Sequence, residues 1–435
     1  MADIYVKKTG NDSSGNGSNG SPYLTIQKGL DEASAGDRIL IGAGTYTETG
    51  LNKTTTDRIK LCTLGDGDVV IDGTTSSTST NTIRPYTGWV IDGSTGSYDY
   101  EFKIIGGGDS CVKSYSGGSA VKLKNLVLVG KGDYATSAAS MRTRYGVRNI
   151  GQSNGGDGGS EKAEIQKCII HNIYYKFIDI AYSPAYPIKI SNLLCYDGGY
   201  AGNTDEAIDH PNSNNEFYFV TLTNFVGGKG IMAYRASSGT KIKNCIVADN
   251  TLSVAGIDFN NTGDNVSNNC VYNNGSGLQY GNYYNHASGS TDAIDATNLE
   301  QDPSWVDNAN ITKNYRINPK ELHYPGSSRT NLSGSALNGK GVAISGISTG
   351  LSGTTRQDPP SIGAFESAVT YLFENAPTGD GLEDAVLKDF TINHYNRLSK
   401  EVPRNTDQIP FGKLVKSTAN LKDRAEAYKL TKESK

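Results

Sequence analysis

A short motif recurs in this chain about every 25 residues, and recurrence at a period of this size is typical of proteins built from stacked repeats. Each copy alternates apolar and polar residues, which indicates a β-strand and not a helix. One short strand cannot bury its own apolar face, whereas a strand stacked between two neighbours can. The sequence therefore predicts an all-β solenoid of stacked coils. The clearest copies are residues 122–128, 164–170, 189–195, 241–247 and 266–272.

A second motif lies between the copies of the first and places a charged residue after an apolar one. If each interval is one coil, the charged side chains form a column with a rise of about 4.8 Å per coil. The apolar residue before each should point into the core, so the charged side chain should point outward. Tyr182, His210 and Phe259 lie beside this column in the sequence. The charged residues are Arg148, Asp179, Asp209, Arg235 and Asp258.

Cysteine and asparagine recur at fixed positions of the first motif. The recurring cysteines are expected to form one inward column, in which buried thiols act as small hydrophobes. The asparagine side chains are expected to stack at the turn of each coil and bond along the ladder. The chain has no CxxC pair and 5 His, so no metal site is predicted. The residues concerned are Cys168, Cys245 and Cys270, and Asn125, Asn192, Asn244 and Asn269.

The composition argues against some broad classes of function. The formal net charge of the 435 residues is -4, so no basic excess is available to neutralise phosphates, and nucleic acid is not an expected partner. No run approaches the roughly 20 apolar residues that span a membrane, so no membrane partner is expected. The N-terminal residues contain no apolar run that resembles a signal peptide, so export by the usual secretory route is not expected.

Periodicity and composition divide the chain into four segments. The first holds a strand and a short helix with Thr25 as its N-cap, and this helix is expected to cover the open edge of the first coil. The second forms the coils, and the third closes the solenoid as the motif fades. In the fourth, apolar residues return at helical spacing, which predicts a mostly helical or irregular extension that attaches to a partner. The segments are residues 1–57, 58–300, 301–366 and 367–435.

The two ends of the predicted solenoid carry further motifs. Those at the opening are residues 5–12 (YVKKTGND), 21–27 (SPYLTIQ), 36–41 (GDRILI) and 44–48 (GTYTE). Those at the close are residues 302–307 (DPSWVD), 335–339 (SALNG) and 360–366 (PSIGAFE). Together they resemble right-handed parallel β-helix proteins of the pectate-lyase-like superfamily, which implies that fold for residues 4–366. The superfamily includes polysaccharide lyases, glycoside hydrolases, phage tailspikes and structural virion proteins, so the resemblance alone does not choose an activity.

In one interpretation, the charged column cleaves a polysaccharide. Hydrolysis needs one carboxylic acid to protonate the leaving oxygen and a second carboxylate as base or nucleophile. Asp179 with Asp209, or Asp209 with Asp258 across Arg235, would supply such a pair, and His210 lies beside them. Lyase chemistry would instead use Arg235 near a uronate that a metal neutralises.

The sequence around one of these carboxylates resembles a motif of polygalacturonases. Residues 203–205 read Asn-Thr-Asp, as in that family. The family's Gly-His-Gly element would fall at residues 228–230, which read Gly-Lys-Gly. This departure argues against polygalacturonase activity.

Two other interpretations of the charged column need no bond cleavage. In one, the face binds glycan without cutting it, and Tyr182, Tyr234 and Phe259 stack on sugar rings. In the other, Arg and Asp on adjacent coils neutralise one another as a structural ladder, because like charges stacked directly would repel.

The fold, the missing export signal and the extension together favour a bacteriophage structural protein. It would be an exposed β-helical spike, fibre or decoration protein that binds host surface glycan, is assembled in the host cytoplasm and resides on the virion. Residues 367–435 would attach it to other virion proteins, and a homotrimer is the oligomer common among spikes of this resemblance. No cofactor is expected. The alternative is a polysaccharide lyase or glycoside hydrolase that acts on an acidic polysaccharide.

Overall fold

The computed structural model of the chain describes the core of the predicted solenoid. The contacts divide the chain into two units, Met1–Ala368 and Val369–Lys435. The predicted extension and most of the predicted closing segment lie outside the described residues. The described residues are 1–53, 58–74, 77–86, 88–94, 102–114, 120–132, 142–150, 162–180, 187–209, 214–233, 239–260, 265–275, 278–285, 296–300, 337, 339–351 and 355–364.

The described elements are strands of 2 to 18 residues with a single helix near the N-terminus. Among these residues, no helix is long and apolar enough to cross a membrane. In chain order the elements are β1 Asp3–Val6, α1 Ile26–Glu32, β2 Arg38–Ile41, β3 Gly44–Thr47, β4 Leu51–Asn52, β5 Lys60–Thr63, β6 Val69–Asp72, β7 Asn81–Arg84, β8 Val90–Asp92, β9 Phe102–Ile105, β10 Ser110–Lys113, β11 Lys122–Lys124, β12 Val127–Val129, β13 Tyr145–Arg148, β14 Ala163–Ile173, β15 Lys176–Asp179, β16 Ile188–Gly199, β17 Glu206–Asp209, β18 Glu216–Ala233, β19 Lys241–Lys243, β20 Ile246–Ala248, β21 Thr251–Phe259, β22 Asn265–Ser267, β23 Cys270–Tyr272 and β24 Tyr283–Asn285.

The strands pair in parallel, each with the equivalent strand one coil earlier and one coil later. Strand β14, for example, pairs with β11 and β12 on one side and with β16 on the other. This is the connectivity of a parallel β-helix, so the predicted fold class is confirmed.

The core is built from columns of apolar side chains that stack through the pairing register. One column runs unbroken through ten coils, and each of its members is at most 9% exposed. Full burial of an aliphatic side chain contributes about 1.5–3 kcal/mol, so such a column is a main source of stability. Its members are Ile4, Ile39, Leu61, Ile91, Leu123, Ile165, Ile190, Phe217, Ile242 and Val266.

The N-terminal helix α1 begins where the sequence predicts. Thr25 Oγ1 accepts a hydrogen bond from Lys28 N at 3.2 Å, which is the bond of an N-cap. The carboxylate of Glu48 accepts from Ile26 N at 2.8 Å, and so satisfies a second free N–H of the first turn. The helix packs on β1 and β2 at Gly29, where a Cβ would lie 2.8 Å from Val6 Cγ2. That the helix covers the open edge of the first coil stays a prediction.

The predicted cysteine column is correct for two members and wrong for the third. Cys168 and Cys245 lie in the main core, where burial raises the pKa of both thiols to about 12 and keeps them uncharged. Cys270 instead pairs with Ile246, one residue beyond the position of Cys245. The reason is that Asn269 occupies the equivalent position in the last coil, and its Oδ1 accepts a hydrogen bond from Cys245 N at 2.9 Å.

The recurring asparagines mark turns, as predicted, but their role is conformational. Four of them have φ between 52 and 59°, the left-handed region that asparagine tolerates better than most residues. The fourth member is Asn268 and not Asn269, so the prediction was displaced by one residue there. The four are Asn125, Asn192, Asn244 and Asn268.

A late part of the chain, here called the C-terminal strap, packs along strands of much earlier coils. It comprises residues 339–351 and 355–364. Asn244 Nδ2 donates to the carbonyl of Val342 at 2.7 Å, and Asn244 Oδ1 accepts from Val342 N at 2.8 Å. Leu351 packs in an apolar cluster with residues of β12, β14 and β16. Asn192 and Asn268 also donate to carbonyls of the strap. The predicted bonding from coil to coil occurs instead at Asn125, which donates to Asp92, and at Asn269, which donates to Asn298.

Candidate functional site

The charged column predicted from the second motif exists in the structure, with one member replaced. Arg148 pairs with Asp179, and Asp179 pairs with Asp209. Asp209 then pairs with Met232, and Met232 pairs with Asp258. The stacking of these backbones one coil apart follows from the parallel ladder.

The prediction that placed Arg235 in this column is wrong, because Met232 occupies the position. The error comes from β18, a strand long enough to allow more than one alignment of the motif. The correct alignment has a signal in glycine: Gly230 packs against Gly256 in the next coil, where a Cβ on Gly230 would lie 2.5 Å from the Gly256 carbonyl oxygen. Arg235 itself lies outside the described residues.

The column becomes more buried along the solenoid. The side chain of Arg148 is 28% exposed, that of Asp179 is 19%, and that of Asp209 is 14%. Asp258 is fully buried, and its Oδ2 lies 2.7 Å from Lys229 Nζ. The prediction that each charge points to solvent therefore fails at Asp258, where an ion pair is enclosed instead.

The centre of the site is Lys176, whose side chain is 9% exposed and which contacts four carboxylates. We call these five residues the Lys176 cluster. Burial alone would lower the pKa of Lys176, but the surrounding negative charges outweigh burial and raise it, so the amine stays protonated at neutral pH. From Lys176 Nζ the distances are 2.8 Å to Asp209 Oδ2, 3.2 Å to Glu206 Oε2, and 3.6 Å to both Asp179 Oδ1 and Asp205 Oδ1.

Asp209 differs from the other carboxylates of the cluster in its environment. Burial raises its pKa, although the charge of Lys176 opposes this shift. Its Oδ2 accepts a hydrogen bond from Lys176, while its Oδ1 is buried and has no hydrogen-bond partner within the part of the chain that the structure describes. Asp209 therefore holds a proton more readily than an exposed carboxyl does.

The ion pairs continue on both sides of the cluster. Arg148 forms ion pairs with two aspartates. Its Nε lies 3.1 Å from Asp179 Oδ2, and its Nη1 lies 2.9 Å from Asp109 Oδ1. On the other side, Lys229 Nζ lies 3.8 Å from Glu206 Oε1, and the same lysine pairs with Asp258. Opposite charges thus alternate along the face, as a structural ladder requires. Beyond Arg148, however, the cations are Lys176 and Lys229, and not arginines of the column as the ladder interpretation expected.

A group of tyrosines, here called the tyrosine cluster, adjoins the Lys176 cluster. Tyr174 and Tyr200 stack with ring centroids 4.5 Å apart and planes at 17°, and both are half-buried. The ring centroids of Tyr175 and Tyr200 are 5.7 Å apart. Hydrogen bonds to Tyr200 and Asp205 raise the pKa of Tyr175. Tyr145 completes the cluster, and its ring centroid lies 6.0 Å from that of Tyr175.

Arginines lie over two rings of the tyrosine cluster. The guanidinium of Arg142 lies 4.5 Å from the ring centroid of Tyr174, and that of Arg148 lies 4.3 Å from the ring centroid of Tyr145. These are cation–π distances. Arg148 therefore links the tyrosine cluster to the charged column, since it also bonds to Asp179.

Of the aromatic residues predicted from the sequence to bind glycan, Phe259 is not part of this cluster. Phe259 is 2% exposed and belongs to the core, so it presents no ring to solvent. Tyr182, His210 and Tyr234 lie outside the described residues. Sequence reasoning missed the tyrosine cluster because its members come from the ends of different strands.

Lys176 and Glu206 were also missed, although the second motif carries a signal for them. Each stands three residues before the aspartate of its coil, and Lys229 stands three residues before Met232. Glu206 and Lys229 pair directly, so these residues form a second outer column beside the first. Recurrence of charge at this position is the sequence signal for the second column.

The residues that resemble a polygalacturonase motif have structural roles here. Asn203 Oδ1 accepts from Asp205 N at 3.0 Å, and its Nδ2 donates to the carbonyl of Val226 at 3.2 Å, which fixes a turn. Gly228 packs on this turn, where a Cβ would lie 2.2 Å from the Thr204 carbonyl oxygen. Among the described residues, no three His, Cys, Asp or Glu side chains are placed to hold a metal ion.

No family model matches the chain, and no curated protein matches it. Solved structures do match. Pectate lyase Pel9A is 19% identical with a TM-score of 0.49, and the match covers 84% of this chain and 96% of that chain. The GH136 lacto-N-biosidase from Eubacterium ramulus is 12% identical with a TM-score of 0.40, covering 64% of this chain and 57% of that chain. The PL6 family alginate lyase AlyGC is 13% identical with a TM-score of 0.35, covering 69% of this chain and 40% of that chain. These likenesses assign no activity.

Replacing the central lysine should destabilise the protein strongly. In Lys176→Met, four carboxylates lose their shared cation, and an uncompensated buried charge costs about 3–5 kcal/mol. The free energy of unfolding, measured in urea at pH 7, should fall by that amount. Lys241→Met, which removes an exposed lysine on β19, is the matched control and should change it by less than about 0.5 kcal/mol. Equal small changes in both variants would contradict the central role of Lys176.

Proposed function

We propose that this β-helix binds glycan on the face formed by the Lys176 cluster and the tyrosine cluster, and that a bacteriophage particle displays it. The observation that carries the proposal is the stacked pair Tyr174–Tyr200, whose neighbour Tyr175 bonds to the carboxylate of Asp205. Sugar-binding sites combine flat aromatic surfaces, which pack on the apolar faces of sugar rings, with polar groups that bond to hydroxyls. This face offers both within one site.

The charges of the face suit recognition more than they suit a proton-abstracting lyase. A lyase needs a base close to the proton that it removes. Lys176 is held protonated by the carboxylates around it, so it is not available as that base. Its four carboxylates are instead fixed as acceptors for sugar hydroxyls.

Removing one ring of the stacked pair should weaken glycan binding. The panel is polygalacturonate, alginate, rhamnogalacturonan, xylan and purified bacterial capsular polysaccharides, measured by affinity electrophoresis and calorimetry. For a polysaccharide that binds, Tyr200→Ala should weaken the affinity about tenfold, because it removes a stacking surface worth about 1 kcal/mol or slightly more. Tyr200→Phe should keep most of the affinity.

Tyr5→Ala, which removes a half-buried tyrosine on β1, is the matched control and should bind like the original chain. Failure of the whole panel to bind, or an unchanged affinity in Tyr200→Ala, would contradict the proposal.

The second part of the proposal concerns attachment to the particle. Residues 367–435 are polar overall, and apolar residues such as Leu382, Val386 and Phe390 recur in them at helical spacing. Such a segment suits docking on other virion proteins, while the solenoid projects outward and contacts host surface polysaccharide. A homotrimer is the oligomer to test, and no cofactor is part of the proposal.

Truncation separates attachment from glycan binding. A chain that ends at Glu366 should fold and bind the same polysaccharide, yet be missing from purified particles when they are assayed by immunoblot. Full-length Tyr200→Ala is the opposite control, since it should join particles and lose glycan affinity. Normal incorporation of the truncated chain would overturn the role of residues 367–435.

Glycoside hydrolysis is a second candidate function, and the environment of Asp209 favours it. Hydrolysis pairs a carboxyl whose pKa is raised with a nearby ionised carboxylate. Asp209 and Asp179 both lie within 3.6 Å of Lys176 Nζ, and burial raises the pKa of Asp209. Asp209 would protonate the glycosidic oxygen, and Asp179 would act as base or nucleophile.

The pH dependence of sugar release tests this candidate. A general acid with a raised pKa is active while protonated, so the rate should fall as the pH rises through the raised pKa of Asp209. Asp209→Asn should lower the release of reducing ends at least about 100-fold, since it removes the acid. Asp31→Asn, on the exposed side of α1, is the control and should be fully active. If Asp209→Asn cleaves normally, this carboxylate is not the acid.

A further inference from the structure

The outer face continues beyond the site to a second pair of tyrosines near the end of the described coils. Asp258 pairs with Tyr284, which is therefore the next member of the charged column after Met232 and Asp258. Tyr280 stacks on Tyr284 with ring centroids 4.0 Å apart and planes at 15°. We call these two residues the distal tyrosine pair.

The distal tyrosine pair has the form of a sugar-stacking surface. Both rings are half-buried, so each is held by its surroundings and keeps an exposed part. Gln279 Nε2 donates to Tyr280 Oη at 3.0 Å, and Asn282 Nδ2 donates to Glu300 Oε2 at 3.2 Å. An exposed amide thus lies at the hydroxyl of Tyr280, which combines an aromatic surface with a polar group as in sites that bind sugars by stacking and by bonds to hydroxyls.

The spacing of the coils matches that of a polysaccharide. Successive members of the column are about 4.8 Å apart, so Tyr284 lies three coils, or about 14 Å, from Asp209 along the solenoid. One sugar unit lengthens a polysaccharide by roughly the height of one coil. A chain of sugars parallel to the solenoid axis would therefore present one unit to each coil.

We infer that the distal tyrosine pair is a second subsite for the same glycan, which lies along the solenoid axis from the tyrosine cluster to Tyr284. This inference rests on the proposed glycan binding and extends it to a polymer of at least four sugar units. Of the intervening column members, Asp209 is partly exposed, whereas Met232 and Asp258 are fully buried, so the glycan contacts the column at Asp209 and at Tyr284. The site thus recognises length as well as sugar type.

A polysaccharide fits this face better than a protein partner does. The centre of a protein interface is apolar and depleted of charged residues. Among the described residues, the large apolar side chains that are exposed are Met1, Leu24 and Val342, and none of them lies on β15, β17, β18, β21 or β24. A row of charged and phenolic groups is the surface that the face presents.

A size series of oligosaccharides tests the inference. The probe is the set of oligosaccharides of two to ten sugar units cut from the polysaccharide of the panel that binds, measured by calorimetry with the full chain. The affinity of the original chain should rise with length and level off once the oligosaccharide spans both tyrosine groups. Tyr284→Ala and Tyr280→Ala should bind the shortest oligosaccharides with the affinity of the original chain. Their affinity for the longer oligosaccharides should be about five- to tenfold lower than that of the original chain.

Tyr284→Phe keeps the ring, so its affinity should still rise with the length of the oligosaccharide. This variant also shows whether the position tolerates a substitution. Tyr5→Ala is again the distant tyrosine control. A length-dependent gain that survives in Tyr284→Ala and Tyr280→Ala would overturn the distal subsite and leave the proposed function intact. An equal loss at every length would also overturn it. Absence of binding by the original chain at every length would instead overturn the proposed function itself.

Discussion

The pairing register from coil to coil is the constraint on which the rest of this structure depends. Each residue stacks on its equivalent one coil away, so the chain repeats both its apolar positions and its charged ones. The inward column from Ile4 to Val266 is the favourable result. On the outer face, the same register stacks Asp179 directly on Asp209. This stacking is unfavourable, because the two negative charges repel each other.

The Lys176 cluster resolves that repulsion and creates the site at the same time. Lys176 stands beside the stacked aspartates and holds them with Asp205 and Glu206 around one cation. The cluster is therefore structural in origin, as the ladder interpretation expects, and it fixes a set of acceptor oxygens next to stacked aromatic rings. One arrangement thus serves as the structural ladder and as the proposed binding face.

The sequence alone predicts those features that repeat, because periodicity encodes them. The parallel coils, the outer column of Arg148, Asp179 and Asp209, and the N-cap at Thr25 follow from local pattern. The sequence did not show that Met232, and not Arg235, occupies the column, because a long strand allows several alignments. It did not show the burial of Phe259 either, because burial depends on the neighbouring coils. The tyrosine cluster was out of reach, since strand ends distant in the sequence meet only after the coils stack.

A crystal structure of the protein with an oligosaccharide of about six sugar units would show the direction of the bound glycan, because a glycan that follows the coils must lie along their axis at one unit per coil. Sugar density should follow the outer face of β15, β17, β18 and β21, with one ring on Tyr200 and another on Tyr284. Sugar bound on a different face, or lying across the coils and not along them, would show that this face does not bind glycan coil by coil.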